Sequence, residues 1–345
     1  MREGRRTFSR ERAGQLPQSV LAAVLLALSL AAQAAPETGV DILDDRAREL
    51  VDEDATLGVL GEGYLWTEGP LWVEDGGYLL FSDIPNNVVH RYMPSEGVSV
   101  YLKPSGATGL HDGDSGQGAN GLLLSPDGEL VLMQQGDRRV AVMDAPLGSP
   151  APRFRTLAAM LDGKRLNSPN DAVFHSDGSL YFTDPPYGLN GFMDDPGKAL
   201  AFQGVYHLRK GGELELLDAT LSLPNGIALS RDERTLYVAV SDEAAPRWMA
   251  YSVTDDGSLE DRRVFYDATD ALREHEGLPD GMAVHSSGVL FATGPGGVWL
   301  FSPDGDVLAR VYTGRKTANC ALSSDERTLY MTAHDRVLAL PLLKP

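Results

Sequence analysis

The 345-residue sequence predicts an all-β fold, a six-bladed β-propeller. Six segments share one pattern, in which an oxygen-bearing polar residue precedes an apolar strand, a turn and a second strand. The opening residues are Glu68, Asn120, Asn170, Asn225, Asp280 and Asn319, spaced 39 to 55 residues apart. The predicted turn centres, eight residues further on, are Gly76, Gly128, Gly178, Glu233, Gly288 and Arg327. Self-similarity at this period is typical of propellers and solenoids.

Each repeat contains enough strands to form a blade. Apolar runs such as 79–81 and 181–183 follow the turns, and Gly, Asp and Pro bound them as they bound strands. Further strand candidates follow at 88–92, 140–143, 204–208, 249–253 and 297–301. Three or four strands in about fifty residues is the usual size of a propeller blade.

The two ends of the chain are predicted to have separate roles. Residues 1–34 have a basic start, an apolar run over 20–32 and a small-residue cleavage pattern at 32–34, which together predict a signal peptide. We therefore expect a periplasmic or secreted protein; an uncleaved anchor is the alternative, and Arg5-Arg6 leaves the export route open. Residues 35–55 are predicted to be an N-terminal extension with a short helix, and 56–345 the propeller. The short sixth repeat is expected to take its outer strand from about 56–60, which would close the ring.

Charge and cysteine content exclude several classes of partner. The formal net charge of −19 disfavours nucleic acid and anionic membrane surfaces as partners. The oligomeric state is left open. Cys320 is the one cysteine, so no internal disulfide can form, and its apolar strand indicates a buried thiol.

The six opening residues predict a metal site at one end of the central channel. Carboxylates buried without a partner are costly, and no Lys or Arg stands at any opening position. Oxygen ligands without Cys or His favour Ca²⁺, with Zn²⁺ or Mn²⁺ as alternatives, and Glu68 and Asp280 would neutralise a divalent ion. The competing interpretation is that Asn-Gly and Asp-Gly mark turns, but the turns lie eight residues downstream.

Several motifs resemble those of the gluconolactonase family that includes regucalcin, a family of six-bladed calcium propellers. The matching stretches lie at 80–85, 103–106, 164–171, 182–188, 223–226, 279–281 and 294–299. The resemblance implies that Glu68, Asn170, Asn225 and Asp280 bind calcium, and that Asp280 is also the acid/base group. Ser168 stands where the regucalcin branch has an arginine, and Gln135 where many bacterial members have a histidine.

The expected activity is metal-dependent hydrolysis of a sugar lactone such as glucono-1,5-lactone, with Asp280 as the general base for water. Candidate substrate-binding residues are Asn120, His111 in the Gly-rich loop, His334 at the rim and Asp184, which could instead be structural. Tyr187 is assigned to packing. No Gly-x-Ser-x-Gly motif is present, which disfavours an acyl-enzyme route. The alternatives are phosphotriesterase or arylesterase activity at the same site, and a non-catalytic, metal-stabilised binding propeller.

Overall fold

The computed structural model describes residues 38–111 and 113–343, together with Met1. All of the predicted signal peptide except Met1 therefore lies outside the described residues. Within the described part, six antiparallel sheets of four or five strands follow one another along the chain. No helix in this part is long and apolar enough to cross a bilayer.

Two strands precede the first complete blade, β1 (Gly39–Ile42) and β2 (Gly58–Glu62). Blade I is β3 (Thr67–Val73), β4 (Tyr78–Asp83), β5 (Val88–Met93) and β6 (Gly97–Leu102). Blade II is β7 (Ala119–Leu124), β8 (Leu130–Gln134), β9 (Arg139–Met143) and β10 (Phe154–Ala158). The small hairpin β11 (Met160–Leu161) and β12 (Lys164–Arg165) leads to blade III, which is β13 (Ala172–Phe174), β14 (Leu180–Asp184), β15 (Gly204–Leu208) and β16 (Leu214–Asp218).

Blade IV is β17 (Pro224–Leu229), β18 (Thr235–Val240), β19 (Arg247–Val253) and β20 (Leu259–Asp267), followed by a short helix α1 (Thr269–Leu272). Blade V is β21 (Met282–Val284), β22 (Leu290–Gly294), β23 (Gly297–Phe301) and β24 (Val307–Tyr312). Blade VI is β25 (Asn319–Leu322), β26 (Thr328–Ala333) and β27 (Arg336–Pro341). Single 3-10 turns lie at Asp45–Glu49, Glu74–Gly76 and Phe192–Asp194.

The innermost strands form a closed ring. Strand β3 contacts β7, and contacts continue through β13, β17, β21 and β25 back to β3. Six apolar clusters fill the spaces between neighbouring blades, one cluster for each pair. The core therefore lies between the sheets, and the prediction of a six-bladed propeller is confirmed.

The N-terminal strands complete the last two blades. Strand β2 pairs antiparallel with β27, as the short sixth repeat predicted, and so covers the outer edge of blade VI. Strand β1 adds a fifth strand to blade V by pairing with β24. The short helix predicted within 35–55 is the 3-10 turn Asp45–Glu49, and Ala47, Leu50 and Val51 are buried in the cluster between blades V and VI.

The inner turns follow the predicted spacing except in the first and sixth repeats. The residues with left-handed backbone are Gly77, Gly128, Gly178, Glu233, Gly288 and Glu326. The predictions of Gly76 and Arg327 are each wrong by one residue. The 3-10 turn Glu74–Gly76 lengthens the first repeat. In blade VI the structural equivalent of the opening residue is Ala318: its N–H donates to the carbonyl of Thr332, as those of Asn170 and Asp280 donate to Thr183 and Thr293. The turn at Glu326 therefore lies eight residues after Ala318 and seven after Asn319.

Candidate active site

A cavity of about 710 Å³ opens at the end of the channel where the innermost strands begin. Five of the six opening residues line it, namely Glu68, Asn120, Asn170, Asn225 and Asp280. The sixth, Asn319, lines a separate cavity of about 490 Å³ on the turn side of the same strands. Residues from five blades are therefore brought together at one place, and the prediction that all six opening residues line it is wrong for Asn319.

Glycine after the opening residue permits the blades to approach closely. A Cβ atom built on Gly69 would lie 2.2 Å from the carbonyl oxygen of Asn120, and one on Gly226 would lie 2.1 Å from that of Asp280. A Cβ on Gly121 would lie 2.9 Å from the backbone oxygen of Asn170. The Asn-Gly and Asp-Gly pairs thus mark backbone contact between adjacent blades, since the turns lie elsewhere.

Side-chain hydroxyl groups link the blades beside the cavity. The hydroxyl of Ser82 in blade I donates to the carbonyl of Asn120 at 2.8 Å, and that of Thr183 in blade III donates to the carbonyl of Asn225 at 2.5 Å. Ser241 in blade IV donates to the carbonyl of Pro279 at 2.5 Å, directly before Asp280. These three bonds hold the backbone at the start of blades II, IV and V against the preceding blade.

Of the five acidic residues that line the cavity, Glu68 and Asp280 have strongly raised pKa values. Burial raises the pKa of Glu68 to about 8, with a further contribution from the charge of Asp171 and an opposing hydrogen bond from the N–H of Gly69 at 3.0 Å. Burial, followed by the charges of Glu68 and Asp171, raises the pKa of Asp280 well above its usual value. No lysine or arginine in residues 38–111 and 113–343 forms an ion pair with Glu68 or Asp280. The exposed Arg273 and Lys316 also line the cavity, so the negative charge is concentrated locally at Glu68 and Asp280.

The neighbouring amides present unused oxygen atoms. The Nδ2 of Asn225 donates to Ser241 Oγ at 2.9 Å, while its buried Oδ1 has no hydrogen-bond partner among the described residues. The buried Oδ1 of Asn120 is likewise without a partner there. Unsatisfied buried acceptors are uncommon and call for an explanation such as an ion. The described residues contain no group of three or more His, Cys, Asp or Glu that could hold a metal ion. The candidate ligands here are two carboxylates together with amide oxygens of asparagine. Such oxygen atoms fit a hard divalent cation.

Comparison with known proteins assigns the chain to a family. Residues 66–335 match the family model described as SMP-30/Gluconolactonase/LRE-like region. The chain belongs to this family.

Its relatives within the family include named lactone hydrolases. A gluconolactonase from Zymomonas mobilis is 38% identical over 300 residues, covering 85% of this chain and 83% of that protein. A pentonolactonase from Haloferax volcanii is 27% identical over 270 residues, covering 77% of this chain and 80% of that protein. The structure of a Xanthomonas campestris gluconolactonase superimposes with a TM-score of 0.76 at 30% identity, covering 89% of this chain and 96% of that one.

Of the residues predicted to bind substrate, Asn120 lines the cavity, whereas His111, His334 and Asp184 do not. His111 is exposed in the Gly-rich loop. His334 is exposed, with its ring centre 5.3 Å from that of Trp66, which does line the cavity. Asp184 is fully buried and accepts hydrogen bonds from the N–H groups of Asn167 and Ser168, both at 2.7 Å. It thereby holds the segment leading to Asn170, and direct contacts of these three residues with substrate stay predictions.

Three further residues bear on the site and were not selected from the sequence. Asp171 directly follows Asn170, where four of the repeats have glycine, and burial raises its pKa to about 6. This departure from glycine in the repeat is the sequence feature that could have identified Asp171 as a residue of the site. Tyr187, assigned to packing, and Gln135 both line the cavity. Burial and the charge of Asp280 raise the pKa of Tyr187, so its hydroxyl remains a hydrogen-bond donor at neutral pH.

Proposed function

We propose that this protein is a lactonase that uses a divalent cation, with Ca²⁺ favoured by the oxygen ligands, to hydrolyse a sugar lactone such as glucono-1,5-lactone to the aldonic acid. Membership of the family and relatives named as lactone hydrolases support a hydrolase acting on a cyclic carboxylic ester. The observation that carries the proposal is the convergence of Glu68, Asn170, Asn225 and Asp280 on one cavity.

Glu68, Asn170, Asn225 and Asp280 would hold the cation. The fit rests on the unpartnered Oδ1 of Asn225 and on two carboxyl groups that share no cationic side chain. When bound, a divalent cation would polarise the ring-ester carbonyl and favour the oxyanion formed at it. Zn²⁺ and Mn²⁺ also accept oxygen ligands, so metal identity is part of the test.

Asp280 is the proposed general base. Its carboxylate lines the cavity and would accept a proton from the water that attacks the carbonyl carbon, a role that typically contributes about 10²–10⁴-fold. Ser241 fixes both sides of this arrangement, because its hydroxyl accepts from Asn225 Nδ2 and donates to the carbonyl of Pro279. The hydroxyl of Tyr187 is available to donate to a substrate oxygen.

The test is acid release from glucono-1,5-lactone, measured with a pH indicator before and after chelation. We expect chelation to abolish turnover and Ca²⁺, Zn²⁺ or Mn²⁺ to restore it to different extents. Asp280→Asn should lower kcat by about 10²–10⁴-fold without lowering the melting temperature of the metal-free protein, because the substitution removes repulsion with Glu68. Asp255→Asn, in an exposed turn, is the matched control.

The outcomes separate the alternatives. Wild-type turnover in Asp280→Asn, with cation binding verified by calorimetry, would remove Asp280 as base. Hydrolysis of phosphotriesters or aryl esters but not lactones would favour the second activity. A related diisopropyl-fluorophosphatase from Loligo vulgaris, 23% identical over 180 residues, makes that assay worthwhile. Cation binding without any hydrolysis would favour a non-catalytic propeller.

We also propose that the protein acts in the periplasm or outside the cell. The support is the basic and apolar pattern of residues 1–34. N-terminal sequencing of protein recovered from the periplasmic fraction should begin near residue 35; a start at Met1 would contradict cleavage.

A further inference from the structure

Gln135 is a buried side chain of the cavity whose hydrogen-bonding capacity the fold does not use. It directly follows β8 in blade II and is 2% exposed. It lines the cavity together with Asn120, Asn170 and Tyr187. Its buried Nε2 has no hydrogen-bond partner among the described residues. An unsatisfied buried donor costs about 1–3 kcal/mol, so its retention calls for a reason.

The adjacent residue Gln134, the last residue of β8, uses its amide for hydrogen bonds within the protein. Gln134 donates from Nε2 to the carbonyl of Ser105 at 2.8 Å and accepts at Oε1 from Arg139 Nε at 2.6 Å. One end of that amide therefore binds the loop between β6 and β7, and the other binds β9. The amide of Gln135 makes no comparable tie within the described residues.

The position of Gln135 is tightly fixed by its surroundings. A Cβ atom added to Gly188 would lie 2.7 Å from the Cβ of Gln135 and 2.7 Å from that of Ser168. The N–H of Gly188 donates to Ser168 Oγ at 2.8 Å, which holds this backbone against Gln135. A side chain fixed in this way presents its amide to the cavity at low entropic cost.

We infer that Gln135 is a specificity-determining residue whose amide hydrogen-bonds to a ring hydroxyl of the bound lactone. This inference rests on the proposed function and adds the chemical feature that the cavity recognises, a hydroxylated rather than a plain lactone ring. A buried amide that pairs with a substrate hydroxyl is left unsatisfied by an analogue lacking that group, and this disfavours the analogue.

The test compares kcat/KM for glucono-1,5-lactone and for δ-valerolactone, which has the same ring ester without hydroxyl groups. Gln135→Met keeps an unbranched side chain of similar length and removes the amide. We expect the ratio of the two kcat/KM values to fall about tenfold, the effect of one neutral hydrogen bond, through an increase in KM for the hydroxylated substrate. The melting temperature should stay the same or rise, because an unsatisfied donor is removed.

Gln134→Met is the matched control, and the opposite pattern is expected for it. Its melting temperature should fall because two hydrogen bonds are lost, while the substrate ratio is kept. For Gln135→Met, an unchanged ratio, or a fall in melting temperature with equal loss on both lactones, would overturn the inference and leave the proposed function standing. Wild-type protein that hydrolyses neither lactone would overturn both.

Discussion

Gly226 lies where the backbone of blade IV presses on that of blade V beside the site. A Cβ atom at this position would lie 2.1 Å from the carbonyl oxygen of Asp280, 2.6 Å from its carbonyl carbon and 2.7 Å from the Cα of Gly281. All three are backbone atoms, so no side chain can rotate away. Carbon contacts need about 3.5 Å, so Gly226→Ala forces the two blades apart by roughly 1 Å.

The consequence should be visible in both stability and activity. Overpacking of this kind costs about 1–3 kcal/mol, which corresponds to a melting temperature lower by roughly 2–10 °C in a protein of this size. A shift of about 1 Å at a reacting group can reduce turnover about 10²-fold. Because the displaced atoms belong to Asp280, cation affinity should fall together with kcat.

The assay combines thermal unfolding, calorimetric titration with Ca²⁺ and lactone turnover. Gly211→Ala is the matched control, because a Cβ on Gly211 meets nothing within 4 Å and its backbone is not in the left-handed region. A Gly226→Ala variant with wild-type melting temperature and cation affinity would refute the explanation of glycine at this position.

Three further changes test the packing that supports the site. Thr183→Val removes the donor to the carbonyl of Asn225 and should cost about 1–3 kcal/mol of unfolding free energy in urea titrations; no loss would show that the bond does not hold the blades. Burial, followed by the charge of Arg209, lowers the pKa of His207 in the folded protein. As the pH falls below about 6.5, the unfolded chain binds a proton at this histidine before the folded protein does, so the free energy of unfolding decreases. His207→Phe should weaken this acid sensitivity between pH 7 and 5; an unchanged profile would exclude His207 as a source. Leu50→Ala should cost about 2–5 kcal/mol because Leu50 is buried between blades V and VI, whereas a detached N-terminal extension would give no change.

The ring of opening residues could be predicted from sequence because the repeat specifies both position and direction. Side chains alternate along a strand, so equal offsets from equal turns place equivalent residues at the same end of every blade. The edge closure of blade VI followed from a missing strand and needed no three-dimensional information. Local pattern was sufficient for these features.

Other features depended on contacts between distant segments. The sequence of strand β1 does not indicate which strand it pairs with. Its position on blade V depends on the free outer edge of β24. The unused amide of Gln135 becomes visible only when its neighbours are known, since Gln134 beside it is fully engaged. The prediction of Arg327 was wrong by one residue because it was counted from the polar Asn319, whereas the backbone position equivalent to the other opening residues is Ala318.

The residue after each opening position explains how one ring can be both tightly closed and chemically specific. In four blades this residue is glycine, which lets the backbones meet. In blade III it is Asp171 and in blade VI, counted from Ala318, it is Asn319, and both line the cavity on the turn side of the channel. Because blades III and VI are opposite one another in a six-fold ring, Asp171 and Asn319 line this cavity from opposing sides. Of the two, only Asp171 is ionisable at neutral pH, and its charge raises the pKa of both Glu68 and Asp280. The acidity of the site is therefore set partly by a residue outside the cavity that the proposed ligands line.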